Sequence, residues 1–342
     1  MENILDLEYS TLEEKILQLN EPRFRANQIW EGLYKLYYSN WDNFSNLPNS
    51  LRTSLSHQFE ILALDPIKEN KTINEKTTKV LFRLADGNLI ESVHLINRNR
   101  NTICISTQAG CPVGCVFCAT GQNGFFRNLN TSEIIGQVLF FSRRLHKIGQ
   151  KITNIVLMGM GEPFLNYNAT LQSVKRFNDP KGINIGARKI TISTIGIAEK
   201  IIKFADEQRQ FKLAISLHAP NDKIREILIP IAKKYPIQEI LKSAEYYISK
   251  TNRRITYEYV LIDKINSTRE HAQALAELLK NQNCHVNLIS LNQGSHFKEN
   301  PPNIKTINNF SNILLRNDIS TTIRNSQGSN IKAGCGQLAG IQ

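Results

Sequence analysis

The stretch Cys111-Pro112-Val113-Gly114-Cys115-Val116-Phe117-Cys118 places three thiols in the spacing C-x3-C-x2-C. It follows an apolar run at residues 103–107 that predicts a strand. Thiolates are soft ligands that favour iron–sulfur clusters, zinc or Cu(I). Structural zinc sites and ferredoxin-type clusters use four protein ligands, and no fourth ligand follows here at a suitable spacing. We therefore interpret residues 111–118, the cluster loop, as the site of a four-iron cluster with one iron left open to a substrate.

Two simpler interpretations exist for the cluster loop. Its thiols can belong to a zinc knuckle completed by a distant fourth ligand, or they can be buried cysteines that bind no metal. The spacing favours the three-cysteine cluster over both.

The total composition is that of an ordinary globular protein. The 342 residues, 41% hydrophobic and 21% charged, suit two domains or one large domain with an appendage. No apolar run reaches the roughly 18 residues of a membrane span, and the first residues lack the pattern of a signal peptide. Six cysteines, three of them in the cluster loop, indicate a reducing, cytoplasmic location rather than a disulfide framework.

The net charge of +12 is unevenly distributed. Residues 1–95 hold 10 Lys and Arg against 14 Asp and Glu, whereas residues 96–342 hold 32 against 16. A strongly basic region suggests a polyanionic partner such as RNA, and a well-solvated basic surface explains the charge as well.

Four segments are predicted along the chain. Residues 1–75 form a small helical accessory or RNA-binding domain that ends in a charged linker at 68–76. Residues 76–100 form a β-hairpin around Asp86-Gly87, and Glu91 reads as an outward residue of its second strand. Residues 101–325 form the main domain, and residues 326–342 form a tail that we expect to be mobile.

Beyond residue 101 the pattern alternates between strand and helix, which predicts parallel strands with crossover helices. Strands are predicted at 103–107, 152–158, 189–194, 212–217, 255–261, 285–291 and 321–324. Helices are predicted near 131–147, 168–177, 196–206, 237–249, 268–280 and 303–316. Six strand–helix units are too few for a closed eightfold barrel, so we predict an α/β fold with an open, partial (β/α)6 barrel.

Four stretches carry a family resemblance: Gly110-Cys111, Cys118-Ala119-Thr120-Gly121, Met158-Gly159-Met160-Gly161-Glu162-Pro163 and Gly334-Cys335-Gly336-Gln337-Leu338. C-x3-C-x2-C after a strand resembles the cluster motif of radical S-adenosylmethionine (radical SAM) enzymes. The full set resembles, more narrowly, the RlmN/Cfr group, which methylates adenine carbon atoms in RNA. The resemblance covers essentially the whole chain, and it implies that the partial barrel is a radical-SAM barrel.

The resemblance also implies a set of site residues. Taken alone, a glycine-rich turn, a His or Asn at a strand end, or a remote cysteine is usually structural. Cys284 matches no motif and keeps that interpretation. The resemblance implies that Cys111, Cys115 and Cys118 hold one [4Fe-4S] cluster, and that SAM is bound by Gly161, Glu162, Ser193, Ser216, Leu217, His218 and Asn292.

A mechanism follows from the resemblance, because an adenine carbon is not nucleophilic and needs radical chemistry. One SAM methylates Cys335, and a second SAM, bound at the open iron, yields a 5′-deoxyadenosyl radical that activates the S-methyl group. The carbon radical adds to the ring, and Glu91 acts as general base. Cys104 then forms a transient disulfide with Cys335, which a flavodoxin- or ferredoxin-like electron donor reduces.

Three functions remain open at this point. The first is methylation of C2 of an adenosine in the peptidyl-transferase centre of 23S rRNA, with the tRNA adenosine 3′ of the anticodon as a second substrate. The second is Cfr-like methylation of C8 of the same rRNA adenosine, which confers antibiotic resistance. Pro163 favours C2, because Cfr-like sequences tend to carry Ala there.

The third function is that of a non-catalytic iron–sulfur or zinc RNA-binding protein, and it leaves Glu162, Cys104 and Cys335 unexplained. The default oligomeric state is a monomer.

Overall fold

The computed structural model describes residues 1–292, 297–324 and 327–340. The strands are β1 Glu2–Asn3, β2 Phe59–Glu60, β3 Asp65–Lys71, β4 Thr77–Arg83, β5 Leu89–Asn97, β6 Arg100–Cys104, β7 Gln108–Gly110, β8 Phe125–Asn128, β9 Asn154–Leu157, β10 Ile190–Thr194, β11 Lys212–Ser216, β12 Ile255–Leu261, β13 Cys284–Ser290 and β14 Ser320–Arg324. The helices are α1 Tyr9–Gln18, α2 Phe24–Tyr34, α3 Asn49–Gln58, α4 Ala119–Gln122, α5 Thr131–Lys147, α6 Tyr167–Asn178, α7 Ala198–Asp206, α8 Asp222–Leu228, α9 Ile237–Thr251, α10 Arg269–Leu279 and α11 Ile304–Arg316. None of these helices is long and apolar enough to cross a membrane.

One ten-stranded sheet organises the chain, in the order β14-β13-β12-β11-β10-β9-β6-β5-β4-β3. The strands from β14 to β6 are parallel, and each of the seven predicted strands coincides with one of them. The first is displaced, because it begins at Arg100 and ends at Cys104 rather than spanning 103–107. The ladder of the described residues does not close, so the prediction of an open, partial barrel is confirmed.

Burial on both faces explains the apolar runs of the parallel strands. In β11 the consecutive residues Leu213, Ala214 and Ile215, whose side chains alternate between the two faces, are all buried. Helix α5 begins at a capping box, in which Glu133 accepts from the backbone N–H of Asn130 at 2.8 Å.

The predicted hairpin is part of a larger antiparallel extension. Strands β4 and β5 pair around Asp86-Gly87 as predicted, and Gly87 adopts a φ of +85° that favours glycine. The predicted linker at 68–76 is wrong in its first half, because Lys68 to Lys71 belong to β3, which pairs with β4. Strand β3 lies at the exposed edge of the sheet, where charged side chains are common, and this explains its linker-like composition.

The N-terminal helices form a small core, as predicted, and pack against α6. Arg176 of α6 enters this core with 3% of its surface exposed. Its guanidinium donates to the Leu7 carbonyl at 2.7 Å and to the Tyr34 hydroxyl, and it lies 4.0 Å from the centroid of the Trp30 ring. The Trp30 indole N–H donates to Asp179 at 2.8 Å. A buried cation therefore anchors the helical domain to the main domain.

The variant Arg176→Ala is expected to lower the free energy of unfolding of the helical domain by about 2–4 kcal/mol, because it leaves two buried oxygens without their donor. Both tryptophans of the chain, Trp30 and Trp41, lie in this domain, so urea unfolding followed by their fluorescence reports on it directly. The exposed neighbour Lys175 supplies the control. Lys175→Ala is expected to change the free energy of unfolding by less than about 0.5 kcal/mol. Equal midpoints for the two variants would contradict the anchoring role.

Candidate active site

A cavity opens where the parallel strands end, at the carboxyl edge of the sheet. The cluster loop, the ends of β9 to β13 and the tail form its walls. The predicted residues that line it are Cys111, Cys115, Cys118, Gly161, Glu162, Ser193, Ser216, His218, Asn292 and Cys335. Leu217, Cys104 and Glu91 are not among the lining residues, and their positions are described below.

A tight hairpin of β7 and β8 positions the cluster loop. Gly110 ends β7 with a φ of +73°, and a Cβ atom there would lie 2.1 Å from the Gly124 carbonyl oxygen. The next amide, that of Cys111, donates to the same oxygen at 2.8 Å. The loop then returns to α4, and the Cys118 amide donates to the Cys115 carbonyl at 3.1 Å. Only glycine fits at position 110, and this close approach directs the three thiols into one cavity.

The donor set of the loop suits a metal centre with soft ligands. Cys111, Cys115 and Cys118 all line the one cavity. Burial raises the pKa of Cys111 to about 12 and raises the pKa of Cys115 well above its usual value. A bound metal centre stabilises the thiolate form, and thiolates are the ligands that iron–sulfur clusters use.

Glu162 presents a buried carboxylate at the end of β9. Its oxygens accept from the backbone amides of Phe164 at 3.0 Å and Ile195 at 2.8 Å. Gly161 has a φ of +100° and packs on Gln108, whose side chain accepts from the Glu162 amide at 2.8 Å. Burial raises the pKa of Glu162 to about 7, and no cation in the described part of the chain pairs with it. An ammonium group of a ligand would supply the missing counter-charge.

His218 follows the end of β11 in a left-handed conformation, with a φ of +59° that is uncommon for a residue other than glycine. Its Nδ1 accepts from the Val260 amide at 3.0 Å, and its ring meets the Phe117 ring edge-on with centroids 5.0 Å apart. Burial, and then the charge of Arg225, lower the pKa of His218 to about 3. The ring is therefore neutral near pH 7, and this hydrogen bond assigns its proton to Nε2.

Arg225 was not predicted, although it organises the loops around the cavity. This fully buried cation donates to the carbonyls of Tyr235 at 2.8 Å, Leu217 at 3.2 Å and Ile195. Leu217, a predicted SAM contact, lies with its side chain in the core, and its amide donates to the Glu258 carbonyl at 3.1 Å. The structure thus does not bring Leu217 to the cavity, because its side chain is buried in the core and its backbone N–H and carbonyl groups are hydrogen-bonded to other residues of the protein.

The tail is docked on the cluster side of the domain, in contrast to the expected mobility. Three groups of the segment 119–123 hold it: the Ala119 amide donates to the Gly336 carbonyl at 2.8 Å, the Thr120 hydroxyl to the Leu338 carbonyl at 2.6 Å, and the Asn123 side chain to the Ala339 carbonyl at 2.7 Å. Asn292 adds a bond of 3.1 Å from its side chain to the carbonyl of Cys335. Backbone hydrogen bonding, which the glycine-rich sequence does not reveal, orders this segment.

Cys104 and Cys335 are both free thiols, and each sulfur lies within range of an electrostatic interaction with the other. Burial raises the pKa of both thiols, and that of Cys104, at the end of β6, is raised to about 12. Cys335 lines the cavity. Arg324, at the end of β14, interacts electrostatically with both sulfurs and lies 3.7 Å from the Glu258 carboxylate. Neither Arg324 nor Glu258 was predicted, although both lie on predicted strands.

Glu91 is 3% exposed, so its interpretation as an outward residue of a half-buried hairpin is wrong. One carboxylate oxygen lies 2.7 Å from the ammonium of Lys79, which is on the same face of the neighbouring strand. The other accepts from the tail amides of Ala339 at 2.7 Å and Gly340 at 3.2 Å. The tail covers this face of β5, and it therefore contacts both Glu91 and the segment that follows the cluster loop.

Comparison with known proteins connects this geometry to a family. Residues 105–279 match the radical SAM superfamily, and residues 2–61 match the ribosomal RNA large subunit methyltransferase N-terminal domain. The chain is 45% identical to a probable dual-specificity RNA methyltransferase RlmN of Dictyoglomus thermophilum, covering 100% of this chain and 97% of that protein. A protein of the same description from Clostridium tetani is also 45% identical, with 99% and 96% covered. A solved radical SAM methyltransferase from Sphaerobacter thermophilus superposes with a TM-score of 0.97 at 43% identity over 100% of both chains.

Proposed function

This chain belongs to the RlmN family of radical SAM RNA methyltransferases, and from that premise we propose that it methylates C2 of adenosine in RNA. The proposed substrates are an adenosine of the peptidyl-transferase centre in 23S rRNA and the adenosine 3′ of the anticodon in tRNA. The dual specificity in the names of the relatives supports two RNA substrates. The observation that carries the proposal is a single cavity lined by the three cluster-loop thiols, by Glu162 and by Cys335.

The family implies a [4Fe-4S] cluster and SAM, and the cavity offers groups for both. Cys111, Cys115 and Cys118 would hold the cluster, and the unpaired carboxylate of Glu162 fits the ammonium group of SAM. The other lining residues proposed to contact SAM are Gly161, Ser193, Ser216, His218 and Asn292. When bound, these cofactors supply the radical that activates a methyl group for addition to an adenine carbon.

Two of the three remaining thiols, Cys335 and Cys104, are proposed to carry and release the methyl group. Cys335 is proposed to accept the methyl group from SAM, since this residue lines the cavity. After the carbon carried by Cys335 has bonded to the ring, Cys104 is proposed to attack the Cys335 sulfur. The bond between the two sulfurs forms and the bond between the Cys335 sulfur and that carbon breaks. The carbon leaves with the electron pair and takes up a proton, which releases the methylated base and leaves a disulfide. An external electron donor of the flavodoxin or ferredoxin type is proposed to reduce this disulfide. Glu91 is proposed to accept the proton that leaves the ring carbon.

The test is mass spectrometry of nucleosides after anaerobic incubation with SAM, a reductant, and unmodified 23S rRNA fragment or tRNA in separate reactions. We expect 2-methyladenosine from both RNAs, and none in a matched reaction without the reductant. 2-Methyladenosine from only one RNA would contradict the dual specificity. A product of 8-methyladenosine would be compatible with the proposed roles of the residues. It would overturn the proposal that C2 is the methylated carbon, which depends on Pro163. The absence of any methylated adenosine would overturn the proposed function.

A further inference from the structure

Basic side chains gather at the edge of the parallel sheet opposite the cavity, where the strands begin. Arg100 is the first residue of β6, and Lys212 is the first residue of β11. Lys189 directly precedes β10, and Arg253 and Arg254 directly precede β12. We call these five residues the basic edge. Because β6, β9, β10, β11 and β12 are neighbours in the sheet, residues far apart in the sequence form one row.

The charge of the basic edge is unbalanced within the protein. All five side chains are exposed or half-exposed, and none forms an ion pair with another described residue. Burial, followed by the charges of the other four, lowers the pKa of Lys212. Arg253 donates to the side chain of Gln210 at 2.6 Å, which adds no negative charge. Like charges at this density repel one another, and a polyanion would relieve that repulsion.

The dimensions of the row suit an extended polyanion. Adjacent strands are about 4.8 Å apart, so the four intervals from β6 to β12 give a row about 19 Å long. A nucleic acid strand offers several phosphates over such a length, whereas a single phosphate group would engage only one or two of these cations. Strand β11 runs from Lys212 at this edge to Ser216 at the cavity, and its backbone separates the two by about 13 Å.

We propose that the basic edge is a second RNA-binding surface, which holds phosphates of a long substrate at a distance from the nucleotide in the cavity. This inference rests on the proposed function in one respect, namely that the substrate is RNA. An acidic electron-donor protein fits this surface less well, because its electrons would have to cross the sheet to reach the cluster loop. A folded RNA can extend around the domain and contact both ends of the strands.

The test compares Lys212→Ala/Arg254→Ala with a control, Lys203→Ala/Lys242→Ala, which removes two exposed cations from α7 and α9. Binding is measured to a long 23S rRNA fragment and to a short hairpin that carries the target adenosine. For the long RNA we expect the basic-edge variant to bind about tenfold more weakly at 0.1 M salt. The slope of the logarithm of the binding constant against the logarithm of the salt concentration should be smaller in magnitude by about 1–2. The KM for this RNA should rise while kcat stays unchanged, and the short hairpin should bind normally.

Unchanged affinity for the long RNA would overturn the proposal, and so would equal losses for both RNAs or an equal loss in the control. A slower reduction of the cluster by flavodoxin, with RNA binding intact, would assign the surface to an acidic protein instead. Because binding is measured in the absence of turnover, the binding result tests the basic edge independently of whether the protein methylates RNA. A protein that binds RNA through the basic edge but forms no methyladenosine would contradict only the proposed function.

Discussion

Replacement of Cys335 by alanine is expected to lower the rate of adenosine methylation by roughly 10³-fold or more, since it removes the cavity-lining thiol that lies outside the cluster loop and is proposed to carry the methyl group. Cys335 lines the cavity and lies outside the cluster loop. The variant should therefore keep the absorbance of the cluster and still cleave SAM under reducing conditions. Nucleoside mass spectrometry measures the first quantity, and anaerobic spectroscopy with chromatography of 5′-deoxyadenosine measures the others.

Cys284 provides the matched control for this experiment. It is also a free cysteine, but it lies buried at the beginning of β13, at the opposite end of that strand from the cavity. Cys284→Ala is expected to methylate RNA at nearly the normal rate. Substantial methylation by Cys335→Ala would show that the methyl group takes a route without this thiol. A loss of the cluster in that variant would show instead that Cys335 has a structural role at the metal centre.

The second large effect is expected from Cys104→Ala. Without its sulfur, the bond between Cys335 and the methylated base cannot be resolved, so the reaction should stop with RNA covalently attached to the protein. A denaturing gel with labelled RNA should show this adduct as a shifted band, whereas the unaltered protein should show almost none. Turnover should fall by about 10³-fold.

The double variant Cys104→Ala/Cys335→Ala distinguishes this adduct from an unspecific crosslink. It lacks the attachment point, so the shifted band should disappear. A band that persists in the double variant would place the linkage on another residue. Normal multiple turnover by Cys104→Ala would eliminate the disulfide step from the proposed reaction.

Local pattern was sufficient for the features that depend on neighbouring residues. The central parallel strands β9 to β13 are four to seven residues long and carry several apolar residues each, a pattern that is visible without knowledge of their partners. The Asp86-Gly87 turn needs a positive φ at its glycine, which the dipeptide itself indicates. The cluster loop is a motif of eight consecutive residues. Such features were predicted because their physical cause lies within one short segment.

Features that depend on distant contacts were missed or misjudged. The burial of Glu91 requires Lys79 on the next strand and a tail almost 250 residues further along the chain. The three carbonyl groups that bind Arg225 come from separate loops, and nothing in the sequence around this arginine identifies them. Arg324 looked like an ordinary end of a strand, because its closeness to both Cys104 and Cys335 arises only in the fold.

The contact between the tail and Glu91 links two parts of the proposed reaction. Lys79 holds one carboxylate oxygen of Glu91, and the amides of Ala339 and Gly340 hold the other. Cys335, the proposed methyl carrier, lies four residues before Ala339 on the same tail. A movement of the tail would therefore change the position of the proposed carrier sulfur and the exposure of the proposed base together.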